Sequence, residues 1–186
     1  MRHICDKSNL KLVIVLKKNL VLTGMMGVGK STIGQKLAKE LKLDFIDVDQ
    51  VIEKKEKQKI KDIFKNKGEN YFRKTEKKIT LEILKNSNLI IALGGGAFID
   101  KSIRKEIINT SFSFWLDLET KSILTRLKNV KKRPLLNEEN LEDSINKIYS
   151  ERKKIYNQSN FRIKCDLLEM EAIVKKIIKL YEKSGN

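Results

Sequence analysis

The chain has 186 residues, 40% hydrophobic and 34% charged, which suits one well-buried soluble domain and hardly two. Its net charge of +16 suggests a nucleic-acid partner, but only seven of its 40 basic residues are arginine and the lysines are scattered over helical stretches such as VIEKKEKQKIKDIFKNK, which argues against nucleic-acid binding as the main role. Two distant cysteines, Cys5 and Cys165, exclude a disulfide framework and fit a reducing cytoplasm, and no apolar run approaches the ~20 residues of a membrane span.

Residues 1–17 have a basic start and the run LVIVL (12–16), too short for a signal peptide. That run reads either as an extra strand or as part of an extension ahead of a single domain, 18–186. NLVLTG (19–24) predicts a strand, followed by a helix over 30–41. DFIDV (44–48) predicts a second strand, with helical stretches at 49–57 and 60–85. NLIIAL (88–93) is a third strand, before a helix near 100–108. SFSFWL (111–116) is a fourth, then a helix over 120–128 and a polar loop through 129–140. A helix at 141–157, a fifth strand at FRIKC (161–165) and a last helix at 169–183 complete the chain. Continuous apolar strands separated by helices predict an α/β fold, a five-stranded parallel sheet sandwiched by helices, with ligands at the carboxyl ends of the strands.

Every unusual motif falls at those ends. Gly24-Met-Met-Gly-Val-Gly29-Lys30-Ser31 satisfies G-x-x-x-x-G-K-[ST] between a predicted strand and a predicted helix. Backbone amides over Gly27, Val28, Gly29 and on to Thr32 are expected to cradle phosphate oxygens at a helix N-terminus. Lys30 would reach the β- and γ-phosphates of ATP and Ser31 would bind Mg²⁺. Asp47 and Asp49, two apart at the end of the second strand, project to the same side. Either one supports the metal while the other orients or deprotonates an attacking hydroxyl, or one or both cap the next helix.

In a lysine-rich chain, arginine is expected where its planar fork is needed. Arg73 stands in FRKTE with Glu76 one turn later, Arg133 precedes the sole proline, Pro134, and Arg152 lies in SERKKIY. Two arginines facing one pocket would suit a carboxylate, while Arg133 on a mobile loop would close over transferring charge. For Arg126, and for Arg152 taken singly, a surface ion pair is the competing reading. Arg2, Arg104 and Arg162 have no motif context and are expected on the surface. Gly94–Gly96, a third of the nine glycines, end the third strand beside the phosphate loop. They read as a bare-backbone wall between phosphate donor and acceptor, against the alternative of a packing turn.

In this order, GMMGVGKST, FIDVD, IKDIF, GENYFRKTE, ALGGGA, RPLL and ERKKIY resemble the shikimate kinase family, from about Lys18 to Asn160. The resemblance implies a P-loop kinase of nucleoside monophosphate kinase-like fold, with an acceptor-binding segment over about 49–80 and a mobile lid over about 129–140. It implies transfer of the γ-phosphoryl group of MgATP to the 3-hydroxyl of shikimate in aromatic amino acid biosynthesis, by a cytoplasmic monomer. Lys30 and Ser31 then look like the nucleotide and Mg²⁺ residues, with Asp47 supporting the metal through water. Asp49 looks like the residue that binds the reacting hydroxyl and acts as base. Arg73, Arg152 and the Gly94–Gly96 backbone look like the shikimate set, shaped by Phe64 and Glu76; Arg133 resembles the lid arginine and Arg126 the arginine that packs on adenine. The chain departs from the family pattern at Lys57 and Lys59, where Gly and a small polar residue are usual, at Ser159-Asn160 for Ala-Asp, and over Asp166–Glu169, where no adenine-loop signature stands. A gluconate-type P-loop kinase is the nearest competing reading; a non-catalytic or nucleic-acid-binding P-loop protein is the other.

Overall fold

The apolar runs of the sequence become the strands of one sheet. The computed structural model describes residues 18–127 and 140–184. In chain order the elements are β1 (Asn19–Thr23), α1 (Lys30–Leu41), β2 (Asp44–Asp47), α2 (Val48–Glu56), α3 (Ile60–Ile83), β3 (Leu89–Ala92), a single 3-10 turn (Ala97–Ile99), α4 (Lys101–Thr110), β4 (Ser111–Asp117), α5 (Thr120–Leu127), α6 (Leu141–Tyr156), β5 (Phe161–Lys164) and α7 (Met170–Ser184). The strands pair in parallel in the order β2-β3-β1-β4-β5. Residues 1–17, including LVIVL and Cys5, lie outside the described residues, as do Arg133 and, apart from Asn140, the segment 129–140 expected to form a lid.

β1 and β3 are buried along their whole length, which is why NLVLT and LIIA are almost continuously apolar. β2 and β5 are the edges and show partial exposure, with Lys164 on the outer strand. From the centre, β1 connects toward β2 while β3 connects toward β4. Right-handed crossovers in opposite directions place their helices on opposite faces, so a crevice opens between the carboxyl ends of β1 and β3. The core under that crevice is formed by Leu20, Leu22, Ile90, Phe114 and Phe98, all 0% exposed.

The continuous helix expected over 60–85 is interrupted. Gly68 has φ 79° and ψ 168°, backbone that side chains other than hydrogen rarely adopt, and α3 bends there. The bend is tied to α2: the Lys67 ammonium and the Tyr71 hydroxyl both donate to Glu56 Oε2, at 2.7 and 2.9 Å.

The departures from the family pattern have local explanations. Lys57 closes α2 in the left-handed region (φ 53°, ψ 29°), a conformation glycine takes freely and a lysine at a cost of roughly 1 kcal/mol. Lys59 leads into α3, and Glu53 both pairs with its ammonium (2.8 Å) and accepts from the Ile60 amide (3.0 Å). Asn160 ties the α6–β5 turn to β4, accepting from the Ser113 amide and hydroxyl at 2.9 and 2.7 Å. Asp166 accepts from the Glu119 amide and the Ser122 hydroxyl, both at 3.0 Å, and so holds the start of α5. Cys165 is buried, with its thiol pushed up to about 12 by burial, and is a packing residue. Among the described residues no helix is long and apolar enough to cross a membrane.

Candidate active site

The loop after β1 delivers the chain into α1 at Lys30, with Gly29 as N-cap in the left-handed region (φ 96°). The first turn of α1 holds no acidic residue, so its free amides and positive dipole end are a ready seat for an anion. The Lys30 ammonium donates to the carbonyls of Gly24 and Met25, 2.9 Å each, which stretches it back across the loop. Thr32 follows on the exposed side of the first turn. Arg126, on α5, donates to the Val28 carbonyl at 3.3 Å and borders Gly29.

Asp47 and Asp49 have separate tasks. Asp47 Oδ1 accepts from the amides of Asp49 (3.0 Å) and Gln50 (3.4 Å), making Asp47 the N-cap of α2, while its Oδ2 accepts from the Ser31 hydroxyl. The capping alternative and the pairing with Ser31 therefore hold together, one oxygen for each. Asp49 sits in the first turn of α2, and its carboxylate reaches the turn after β3.

That turn is Gly94–Gly96, and each glycine borders a different neighbour. A Cβ on Gly94 would stand 2.6 Å from both Asp49 Oδ1 and Glu76 Oε1. One on Gly95 would stand 3.4 Å from the Met26 amide nitrogen of the phosphate loop. On Gly96 it would meet Arg73 Nη1 at 2.6 Å and Cζ at 2.9 Å. None of the three has φ in the left-handed region; close approach, not backbone freedom, excludes a side chain at Gly94 and Gly96, while at Gly95 a Cβ would make ordinary contact. Packing turn and wall are one object, since the packing is against charged groups and the phosphate loop.

A cleft of about 480 Å³, open solvent included, lies over this turn and is lined by Met26, Asp49, Ile60, Phe64, Phe72, Arg73, Glu76, Gly95, Gly96 and Arg152. Arg73 is gripped by Glu76 at 2.6 Å and Glu69 at 3.2 Å, and lies against the Phe72 ring. Burial works against its charge, and the two carboxylates more than offset that. Glu76, 3% exposed, has its carboxyl pushed up by burial and further by Asp49, while Arg73 pulls it down. Arg152 reaches the same turn from α6, donating to the Gly95 carbonyl at 2.9 Å. Two guanidinium groups and two carboxylates thus face an apolar floor on which Phe64 and Phe72 pack with ring centroids 4.7 Å apart.

The match to known proteins is specific. The family model described as shikimate kinase matches residues 26–182. The chain belongs to the shikimate kinase family. The shikimate kinase of Sulfurihydrogenibium sp. is 40% identical over 161 residues, 87% of this chain and 96% of the relative. The structure of the shikimate kinase from Acinetobacter baumannii in complex with shikimate superposes with a TM-score of 0.86 at 30% identity, over 90% of this chain and 94% of that one. A gluconokinase from Sinorhizobium meliloti is similar in fold alone, with a TM-score of 0.58 and 12% identity over 91% of this chain and 94% of its own.

In this member of the shikimate kinase family, several contacts escaped the sequence reading. Arg104 and Arg162, expected on the surface for want of motif context, are half-buried and exposed respectively, and both make contacts the sequence does not announce. Arg104 donates to the carbonyls of Phe98 and Ile99 (2.9 and 3.0 Å), holding the turn that follows the glycines. Arg162 pairs with the buried Asp117 at 2.6 Å and lies over the Trp115 ring. Met26, Ile60 and Phe72 join the cleft although nothing distinguishes them from core residues in sequence. Tyr156 is distinguished in sequence only by its place in ERKKIY, yet its hydroxyl donates to the Gly95 carbonyl.

Proposed function

We propose that this chain transfers the γ-phosphoryl group of ATP to the 3-hydroxyl of shikimate, giving 3-phosphoshikimate and ADP. One observation carries this reading: Met26 of the phosphate loop forms a wall of the acid- and arginine-lined cleft, with Gly95 packed on its amide. Donor and acceptor therefore meet without intervening side chains, as in-line transfer requires. A compact hydroxylated carboxylate fits the cleft. Arg73 and Arg152 hold its carboxylate through charge-assisted hydrogen bonds, and Ile60, Phe64 and Phe72 meet its ring carbons. Asp49 orients the hydroxyl and takes its proton as the new O–P bond forms and the bond to the leaving β-phosphate oxygen breaks. Lys30 and the α1 N-terminus hold the phosphates.

The Ser31 hydroxyl and Asp47 carboxylate fit Mg²⁺, a hard cation that takes one or two protein oxygens and completes its shell with water and phosphate. No cluster of three or more acidic, His or Cys ligands occurs among the described residues, which suits an ion delivered with the nucleotide better than a protein-caged one. When bound, Mg²⁺ neutralises charge on the β- and γ-phosphate oxygens. The exposed large hydrophobics among the described residues, Tyr71, Ile108 and Leu167, are scattered, which supports a monomer. We place it in the cytoplasm.

The test is ADP release from MgATP with shikimate, gluconate or no acceptor. Release that depends on shikimate is the expected result; release with gluconate instead would overturn the acceptor assignment. Gly96→Ala probes the same cleft. Its Cβ displaces Arg73, so the KM for shikimate is expected to rise roughly 10- to 100-fold, the worth of a charged hydrogen bond, with the KM for ATP within about twofold of the parent.

A further inference from the structure

We propose that Tyr156 is a positioning residue for the acceptor clamp, acting on Arg152 through the carbonyl oxygen they share. This rests on the reading above that Arg152 holds the acceptor's carboxylate.

Arg152 and Tyr156 are four residues apart on α6, hence on one face of the helix. Both aim at the Gly95 carbonyl oxygen: Arg152 Nη1 donates at 2.9 Å, and the Tyr156 hydroxyl donates to the same atom. A carbonyl oxygen has two lone pairs, and both are used here. The rest of the Gly95 residue faces the phosphate loop, with Met26 N and Gly24 O bordering the position its Cβ would take.

Tyr156 itself cannot swing away. It is 0% exposed and packs on Trp115, with ring centroids 5.9 Å apart. Burial pushes its phenol pKa up, against the pull of Arg152, so it remains a donor through the neutral range. Arg152, by contrast, is a long side chain at a partly open site. With the carbonyl pinned by the tyrosine, the guanidinium has a fixed anchor for one nitrogen and turns its remaining donors toward the cleft. Without the hydroxyl, the peptide and the guanidinium share one hydrogen bond and can rotate together. A tyrosine needed only to fill space would be replaced by phenylalanine without kinetic effect.

The experiment is a double-mutant cycle of Tyr156→Phe and Arg152→Lys, read by steady-state kinetics in both substrates and by calorimetric titration of shikimate without nucleotide. Phenylalanine keeps the volume, and thermal unfolding checks that the fold is kept. Tyr156→Phe is expected to raise the KM and Kd for shikimate about 5- to 20-fold, with kcat changed less than threefold and the KM for ATP less than twofold. In the Arg152→Lys background, adding Tyr156→Phe is expected to change the KM less than twofold, because the group being positioned is gone. An unchanged shikimate KM in Tyr156→Phe, equal losses for both substrates, or additive effects in the double variant would each overturn the proposal. Wild-type acceptor dependence is measured first. If a different hydroxy acid is turned over, the functional reading fails separately, and the same cycle run with that acid still decides the role of Tyr156.

Discussion

Lys30→Ala is expected to lower kcat by roughly 10²- to 10³-fold or more, the scale of removing one preorganised donor from a transition state. The ammonium lies within 2.9 Å of two carbonyls of the phosphate loop, Gly24 and Met25, so the backbone of that loop helps to set its position. In phosphoryl transfer little covalent work falls to the protein, and negative charge spreads over the equatorial oxygens. A point charge held beside them in a partly dry site acts far more strongly than in water. The fold should survive a loss of roughly 1 to 3 kcal/mol, the cost of depriving the part-buried Gly24 and Met25 carbonyls of their charged donor. ADP release and a melting curve on the same preparation separate the effects. A variant that melts like the parent yet keeps more than about a tenth of its kcat would remove Lys30 from the transition state.

Asp49→Asn is expected to cut kcat by about 10²- to 10⁴-fold, the usual contribution of a positioned general base. The amide keeps the size of the carboxylate, so the close approach at Gly94 is preserved, and Asp47, not Asp49, caps α2. The KM for ATP should stay within about twofold, because Asp49 lines the acceptor cleft. Steady-state kinetics with each substrate varied in turn gives both numbers. An intact kcat with a raised shikimate KM would make Asp49 a binding residue only.

What the sequence shows well is local. The run NLVLT, the glycines that follow it and the Lys30-Ser31 pair announce strand, phosphate loop and helix, because burial on both faces and anion binding each impose a short-range pattern. The spacing of Asp47 and Asp49 placed both at a strand end. It left open which one caps, since either has the right chemistry within reach of the next helix. Gly68 reads as one residue in a long helical pattern, and the break became evident only from its φ. The scattered arginines show the limit most clearly. Arg104 and Arg162 have the same bland surroundings in sequence, yet one braces the turn after the glycines and the other neutralises a buried aspartate.

The triple glycine marks the division. Its presence at the end of an apolar run was enough to predict a close approach, because three side-chain-free positions in a row exceed what a turn needs. Which groups approach was decided by the sheet order. Pairing of β3 with β1 brings Gly95 beside Met26, and the packing of α2, α3 and α6 brings Asp49, Glu76, Arg73 and Arg152 to the same turn from positions 18 to 57 residues away. Backbone preference and periodicity act over a few residues and are written in the sequence; contacts between distant segments depend on how the strands are ordered and the helices seated, and only the folded chain sets those.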